Sequence, residues 1–150
     1  MQAVNAKAVT VKKVFSRETT VSIQIDAQPE VVWGILTNAQ KHPEWNTTIV
    51  SLKGEIKPGS KIELVSKLAP TRAFKLSIMD FNPSRLLSWG DAMGKRNFVL
   101  AGEGDKTIFT MTEKMGGPLF PLFAGMIPSF DESFETFAHD LKTVAESQKK

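Results

Sequence analysis

The chain of 150 residues contains no cysteine, no tyrosine and only two histidines, His42 and His139. Without thiols there can be no disulfide frame, zinc–thiolate site, iron–sulfur cluster or sulfur nucleophile, and two imidazoles leave little for a histidine-based metal centre. Long hydrophobic runs are missing too. Nothing approaches the roughly 18 consecutive apolar residues of a membrane span, and the opening MQAVNAKAVTVKKVF lacks the apolar core of a secretory signal. No Gly-x-Ser-x-Gly elbow occurs, and Gly102-Glu-Gly104 lies between strand patterns and opens no helix, so it is not a phosphate loop. These absences predict a soluble, cytoplasmic protein with neither metal nor organic cofactor.

Apolar residues make up 41% and charged residues 23% of the chain, the balance of a single globular domain able to bury its own core. A net charge of +3 raises the question of nucleic acid. Four of the 19 basic residues, Lys7, Lys12, Lys13 and Arg17, precede the first acid, Glu18, leaving 15 bases against 16 acids in 18–150. The basicity is therefore terminal, with no cationic stripe or interleaved aromatics to hold phosphates. Neither nucleic-acid binding nor stable membrane insertion is expected. The division predicted is a basic arm over 1–17, one domain over 18–147 and a tail over 148–150.

From Glu18 the apolar residues Val21, Ile23 and Ile25 alternate with polar ones, the period of a strand with one buried face. Pro29 and Glu30 then suit the first turn of a short helix with Val32, Trp33 and Leu36 on its buried stripe, and a second helical turn is expected through Glu44 and Trp45. Strand patterns follow at 49–53, 62–68, 74–78, 85–91, 96–101 and 107–114, separated by turn signals such as Pro58-Gly59 and Asn82-Pro83. Three prolines, Pro118, Pro121 and Pro128, predict an irregular stretch. Beyond it Phe130, Phe134, Phe137, Leu141 and Val144 recur at helical spacing, and Ser129 with Glu132 has the form of a capping box.

This order predicts an α+β protein: a curved antiparallel sheet of about seven strands wrapped around one long C-terminal helix, with two short helices after the first strand. Such a sheet tends to leave a lined cavity against its helix. Ala27-Gln-Pro29-Glu30-Val-Val32-Trp33, His42-Pro43-Glu44-Trp45-Asn46, Pro58-Gly59, Pro83-Ser-Arg-Leu-Leu-Ser-Trp89, Gly104-Asp-Lys-Thr107 and Gly116-Gly117-Pro118 occur in an order that resembles the START/Bet v 1-like (SRPBCC) superfamily over residues 18–147. The branch it looks most like is the polyketide cyclase/dehydrase and lipid-transport group. The resemblance implies a helix-grip fold with a hydrophobic cavity that takes lipids, sterols, hormones or polyketides. Some members of the superfamily catalyse cyclisation, dehydration or hydrolysis, and no catalytic residue is common to them. At the signature positions, Trp33 and Trp45 are expected to pack the short helices under the sheet.

Strand parity, with the heavier apolar phase taken as inward, turns Phe74, Leu87, Trp89 and Asp91, then Arg96 and Phe98, then Phe109, Met111 and Glu113 toward the interior. Asp91 and Arg96 flank one turn and are candidates to pair across it, while an enclosed Glu113 would be a candidate acid or base. Charges near strand ends more often sit at a solvated rim. Phe130, Phe134 and Met126 complete the predicted ligand-binding set with Phe74, Trp89, Asp91, Arg96, Phe98, Met111 and Glu113. Met126, Phe120, Phe123 and Ile127 form an apolar segment that is read as a mouth, the alternatives being a packed loop or a homodimer contact. His139 stands at helical spacing from Glu135 and Asp131, which reads as a solvated polar face rather than a metal site, and no metal site is expected.

The function favoured by these residues is binding of a small hydrophobic molecule in an internal cavity, as carrier or sensor. The alternative is a cofactor-independent polyketide cyclase or dehydratase, a lyase or isomerase using Glu113, Asp91 and Arg96. Scarcity of proton-transfer groups favours binding. A relative of Hsp90 activators is a weaker third reading, because nothing resembles a dedicated partner surface.

Overall fold

A computed structural model describes residues 6–148. Eight strands form one antiparallel sheet: β1 (Val9–Lys12), β2 (Ser16–Ile25), β3 (Ile49–Lys53), β4 (Lys61–Ser66), β5 (Phe74–Asn82), β6 (Leu86–Gly90), β7 (Gly94–Glu103) and β8 (Lys106–Gly116). Their spatial order is β1-β2-β8-β7-β6-β5-β4-β3. Short connections make β3 to β8 a meander, as expected of neighbours joined by tight turns. The closing step is non-local: β2 pairs with β8 from Ser16↔Gly116 to Ile25↔Thr107.

Strand β1 accounts for the eighth strand and lies within the stretch read as an arm. Its four residues, Val-Thr-Val-Lys, do alternate, but the run is short and its valines face outward, Val9 62% and Val11 48% exposed, so the alternation marks no buried face. It forms because β2 offers it an unpaired edge and the C-terminal helix offers it acceptors.

After β2 come α1 (Pro29–Leu36) and α2 (His42–Trp45), joined by a 3-10 turn over Ala39–Lys41. Pro29 opens α1, where its missing N–H costs no hydrogen bond. The proline-bearing stretch is less irregular than its composition suggests: α3 (Phe120–Phe123) and a 3-10 turn (Ala124–Met126) occupy it. Pro121 is tolerated because it falls in the first turn. The long helix α4 spans Asp131–Ser147. The expected capping box does not form. Phe130 holds the cap position without a side-chain cap bond, and Ser129 Oγ instead accepts the Asp131 N–H at 3.2 Å.

Curvature comes from register shifts in β5 between Ile78 and Phe81 and in β3 between Ile49 and Ser51, where an extra residue bends the strand. The concave face packs on α4 through Phe134, Phe137, Ala138, Leu141 and Ala145, all buried. These positions recur at three- and four-residue steps, the stripe one helix turns toward a sheet. Val32, Ile35 and Leu36 of α1 close the far end.

Glu135 and Asp131, read as part of a solvated face, are docking points, and Asp140 and Glu146 act likewise. Glu135 accepts the Ala8 N–H at 2.9 Å, Asp140 accepts the Thr47 N–H and Oγ1–H at 2.8 Å, and Glu146 accepts the Asp26 N–H at 2.8 Å. Asp131 accepts the hydroxyl of Thr10 on β1. Among the described residues no group of three or more His, Asp or Glu side chains could hold a metal ion.

Candidate functional site

Cross-strand register sorts the concave face into rows. Leu100, Phe109 and Ile23 form one, and Leu87, Phe98, Met111 and Val21 the next; all seven side chains are buried. Aromatic rings fill the space between these rows and α4. Phe137 lies 5.8 Å from Phe98, 6.2 Å from Phe109 and 5.7 Å from Trp45, and Trp89 meets Phe98 edge-on at 4.7 Å. Of the residues expected to bind ligand, Trp89, Phe98 and Met111 therefore sit in packed core at this level.

The character of the face changes one row further along. Trp89 is opposite Arg96, Arg96 opposite Glu113, Glu113 opposite Thr19 and Thr19 opposite Thr10, so four consecutive inward positions are polar. Arg96 Nε donates to Glu113 Oε1 at 2.7 Å, with side chains 18% and 17% exposed. That exposure leaves the pair in reach of solvent while most of its surface is enclosed. The Arg96 guanidinium lies 4.9 Å from the centre of the Phe134 ring, a cation–π arrangement, and Phe134 stacks on Phe130 at 6.1 Å. Thr10 and Thr19 share a 2.9 Å hydroxyl hydrogen bond. Arg96, Glu113, Phe130 and Phe134 are thus brought together.

Asp91 is not part of this group, and its pairing with Arg96 is corrected. It is exposed, and its Oδ1 accepts the N–H groups of Met93 at 2.9 Å and Gly94 at 3.1 Å. The carboxylate satisfies its own turn, and the register hands Arg96 to Glu113 instead. Met126 is 78% exposed and stands on the outside of the molecule. Phe74 begins β5, half-buried, with the Arg72 guanidinium 4.8 Å from its ring centre.

Arg17 was not singled out from the sequence. It shares strand parity with Thr19, Val21 and Ile23, and starting the strand at Glu18 hid that signal. Although 92% buried by its 8% exposure, it donates from its terminal nitrogens to Ile127 O at 3.2 Å and Ala124 O at 3.1 Å, tying the segment before α4 to β2. Its Nε has no hydrogen-bond partner. Beside it lies a cavity of about 250 Å³ lined by Thr10, Lys12, Arg17, Ile127, Phe130 and Asp131.

His42 is fully buried and forms a second polar arrangement beneath α1. One ring nitrogen, Nε2, donates to Leu36 O at 2.8 Å, and Nδ1 accepts from Asn46 Nδ2 at 3.4 Å. Leu36 O can only accept, which assigns the proton to Nε2. Burial pulls the imidazole pKa down to about 4, against a smaller opposing effect of the Leu36 hydrogen bond. Asn46 Oδ1 also accepts the N–H and hydroxyl of Thr48 at 3.0 and 2.6 Å. The His-Pro-Glu-Trp-Asn motif is a structural joint here.

The sequence matches, over residues 16–146, the model of the family described as polyketide cyclase/dehydrase and lipid transport, and the chain belongs to that family. No curated protein sequence matches it. A START superfamily protein from Mycobacterium smegmatis is similar in structure, with a TM-score of 0.64 at 16% identity over 87% of this chain and 98% of that one. A conserved protein of unknown function from Enterococcus faecalis reaches 0.69 at 16% identity, covering 95% and 79%. A norcoclaurine synthase point mutant from Thalictrum flavum, in complex with a transition-state analogue, reaches 0.68 at 12% identity, covering 95% and 99%. These likenesses establish the START/Bet v 1-like helix-grip fold. Among the described residues no helix is long and apolar enough to cross a membrane.

Proposed function

We propose that the chain is a cytoplasmic carrier or sensor that binds a small hydrophobic molecule between the concave face of the sheet and the first half of α4. The observation behind this reading is the partly exposed Arg96–Glu113 pair, set in a polar row on an otherwise apolar concave face and covered by Phe134. An apolar body would lie along Phe130 and Phe134, and a polar group at one end would meet the pair or Thr19. Apolar walls with a few placed polar groups are the usual composition of such a site. The family's description as lipid transport supports the same class of ligand.

Native mass spectrometry of the purified protein, with identification of whatever is released on denaturation, tests the reading. A lipid, polyketide-like or aromatic molecule near unit occupancy is the expected result. An empty protein whose melting temperature does not move across a panel of such molecules would overturn it.

A cyclase or dehydratase is the second reading, because an enclosed carboxylate beside a guanidinium can move a proton and polarise an oxygen. Glu113→Gln separates the two once a ligand is known. Binding within about tenfold of the parent, roughly 1.4 kcal/mol, is expected of a carrier. Turnover in the parent that vanishes in the variant while binding persists would favour the enzyme.

A further inference from the structure

The sheet end that carries the polar row also carries several strongly exposed apolar side chains. The β1–β2 hairpin turns there at Val14 and Phe15, the β6–β7 turn contributes Met93, and the chain leaves β8 there toward α3. Backbone hydrogen bonds join the three pieces: Gly117 N–H donates to Phe15 O at 3.1 Å and Gly116 N–H to Met93 O at 3.0 Å. The approach is tight, since a Cβ on Gly116 would stand 2.6 Å from Phe15 O, and Gly117 has φ +137°. Val14, Phe15, Leu119, Leu122 and Met126 are 69%, 58%, 65%, 78% and 78% exposed on this tip.

Charge is arranged around the tip, not on it. Residues 116–129 contain no Asp, Glu, Lys or Arg. Lys12, Lys13 and Lys114 flank the tip, exposed and outside any ion pair found among the described residues, whereas Lys95 is held by Asp80 at 2.9 Å. The nearby carboxylates are Glu18, Asp91, Glu113 and Asp131; Asp91 is occupied by the amides of its turn, Glu113 by Arg96 and Asp131 by the Thr10 hydroxyl. Over 12–18, 91–96 and 113–131 there are six basic side chains and four acidic ones.

We propose that this tip docks reversibly on an anionic lipid bilayer, its apolar side chains entering the headgroup region while Lys12, Lys13 and Lys114 meet the negative surface. Uncharged apolar loops ringed by lysine match both layers of such a surface. A two-fold pairing of the same tip on a second copy would instead set lysine against lysine. The docking stands apart from ligand binding, because it uses the outside of the tip and can be measured on the empty protein.

Co-sedimentation with vesicles of about three parts phosphatidylcholine to one of phosphatidylserine is the test, with phosphatidylcholine vesicles for comparison. Binding to the mixed vesicles that falls as salt rises is expected. Lys12→Gln with Lys13→Gln, and separately Leu122→Ser with Met126→Ser, should each weaken it about tenfold or more. Both pairs change exposed side chains, and a native circular dichroism spectrum checks that each is folded. Lys106→Gln, at the opposite end of β8, should leave binding unchanged. Failure of the parent to sediment with the mixed vesicles, or full retention by the Leu122/Met126 pair, would overturn the proposal. So would a dimer in sedimentation velocity that the same pair abolishes, which would assign the tip to self-association. Native mass spectra of these variants report ligand retention separately, so loss of docking and failure of the ligand reading are told apart.

Discussion

At the scale of single residues, His42 has the clearest consequence. Its native pKa is depressed to about 4 by burial, while the unfolded chain takes up the proton near 6.5. Between these values the unfolded state binds a proton that the native state refuses, so stability is full above about pH 6.5 and falls as pH drops toward 4. The loss by pH 4 is expected to approach about 3 kcal/mol, read as a shift of the urea midpoint. His42→Gln should be less stable at neutral pH and flatter across this window; parallel pH profiles for the two proteins would refute the assignment. Asp80 is also lowered, by the Ser88 hydroxyl and then Lys95. For Glu146 burial opposes ionisation, but Lys142 and the Asp26 N–H outweigh it and hold the carboxyl below its ordinary value. Both depressed carboxyls stabilise the native state above their unfolded pKa, and that contribution is lost only at pH values below most of the His42 window.

At the scale of elements, α4 works as a clamp as well as a core face. Its apolar stripe was legible from helical periodicity. The use of its acids was not, because their partners lie 93 to 127 residues away and no local spacing reports them. Glu135→Ala should free the Ala8 amide, with faster hydrogen exchange there and a cost of about 1–2 kcal/mol for the group left unpaired. Exchange at Ala8 unchanged from the parent would mean that Glu135 does not hold this amide, leaving Asp131 as the α4 contact to β1. Phe137→Ala should cost about 3–5 kcal/mol by thermal or urea unfolding, since the ring fills the space shared by Phe98, Phe109 and Trp45. The meander β3 to β8 was legible from turn residues and alternation, whereas β1 was not. The inward phase of Arg96 and Glu113 was readable from parity. Their pairing with each other was not, because it depends on the β7–β8 register, and Asp91 lost its assigned role to hydrogen bonds within its own turn.

For the whole molecule, the strand order has a consequence in time. Pairings within β3 to β8 join segments close in sequence, so that part can assemble from local contacts. The β2–β8 ladder instead spans 82 residues at Ile25↔Thr107 and 100 at Ser16↔Gly116, and α4 reaches back to Ala8 over 127. Closing such loops is what slows folding, because their entropy is lost before the contacts form. A refolding intermediate, if one accumulates, is expected to protect amides of β5 to β8 while those of β2 still exchange; early protection of β2 would contradict this order. During synthesis the same geometry leaves Val21, Ile23 and Ile25 without their β8 partners until residues 107–111 have been made. Of this sheet's long strands, β2 is made first and is among the last to pair, so its apolar face stays open while β3 to β7 assemble.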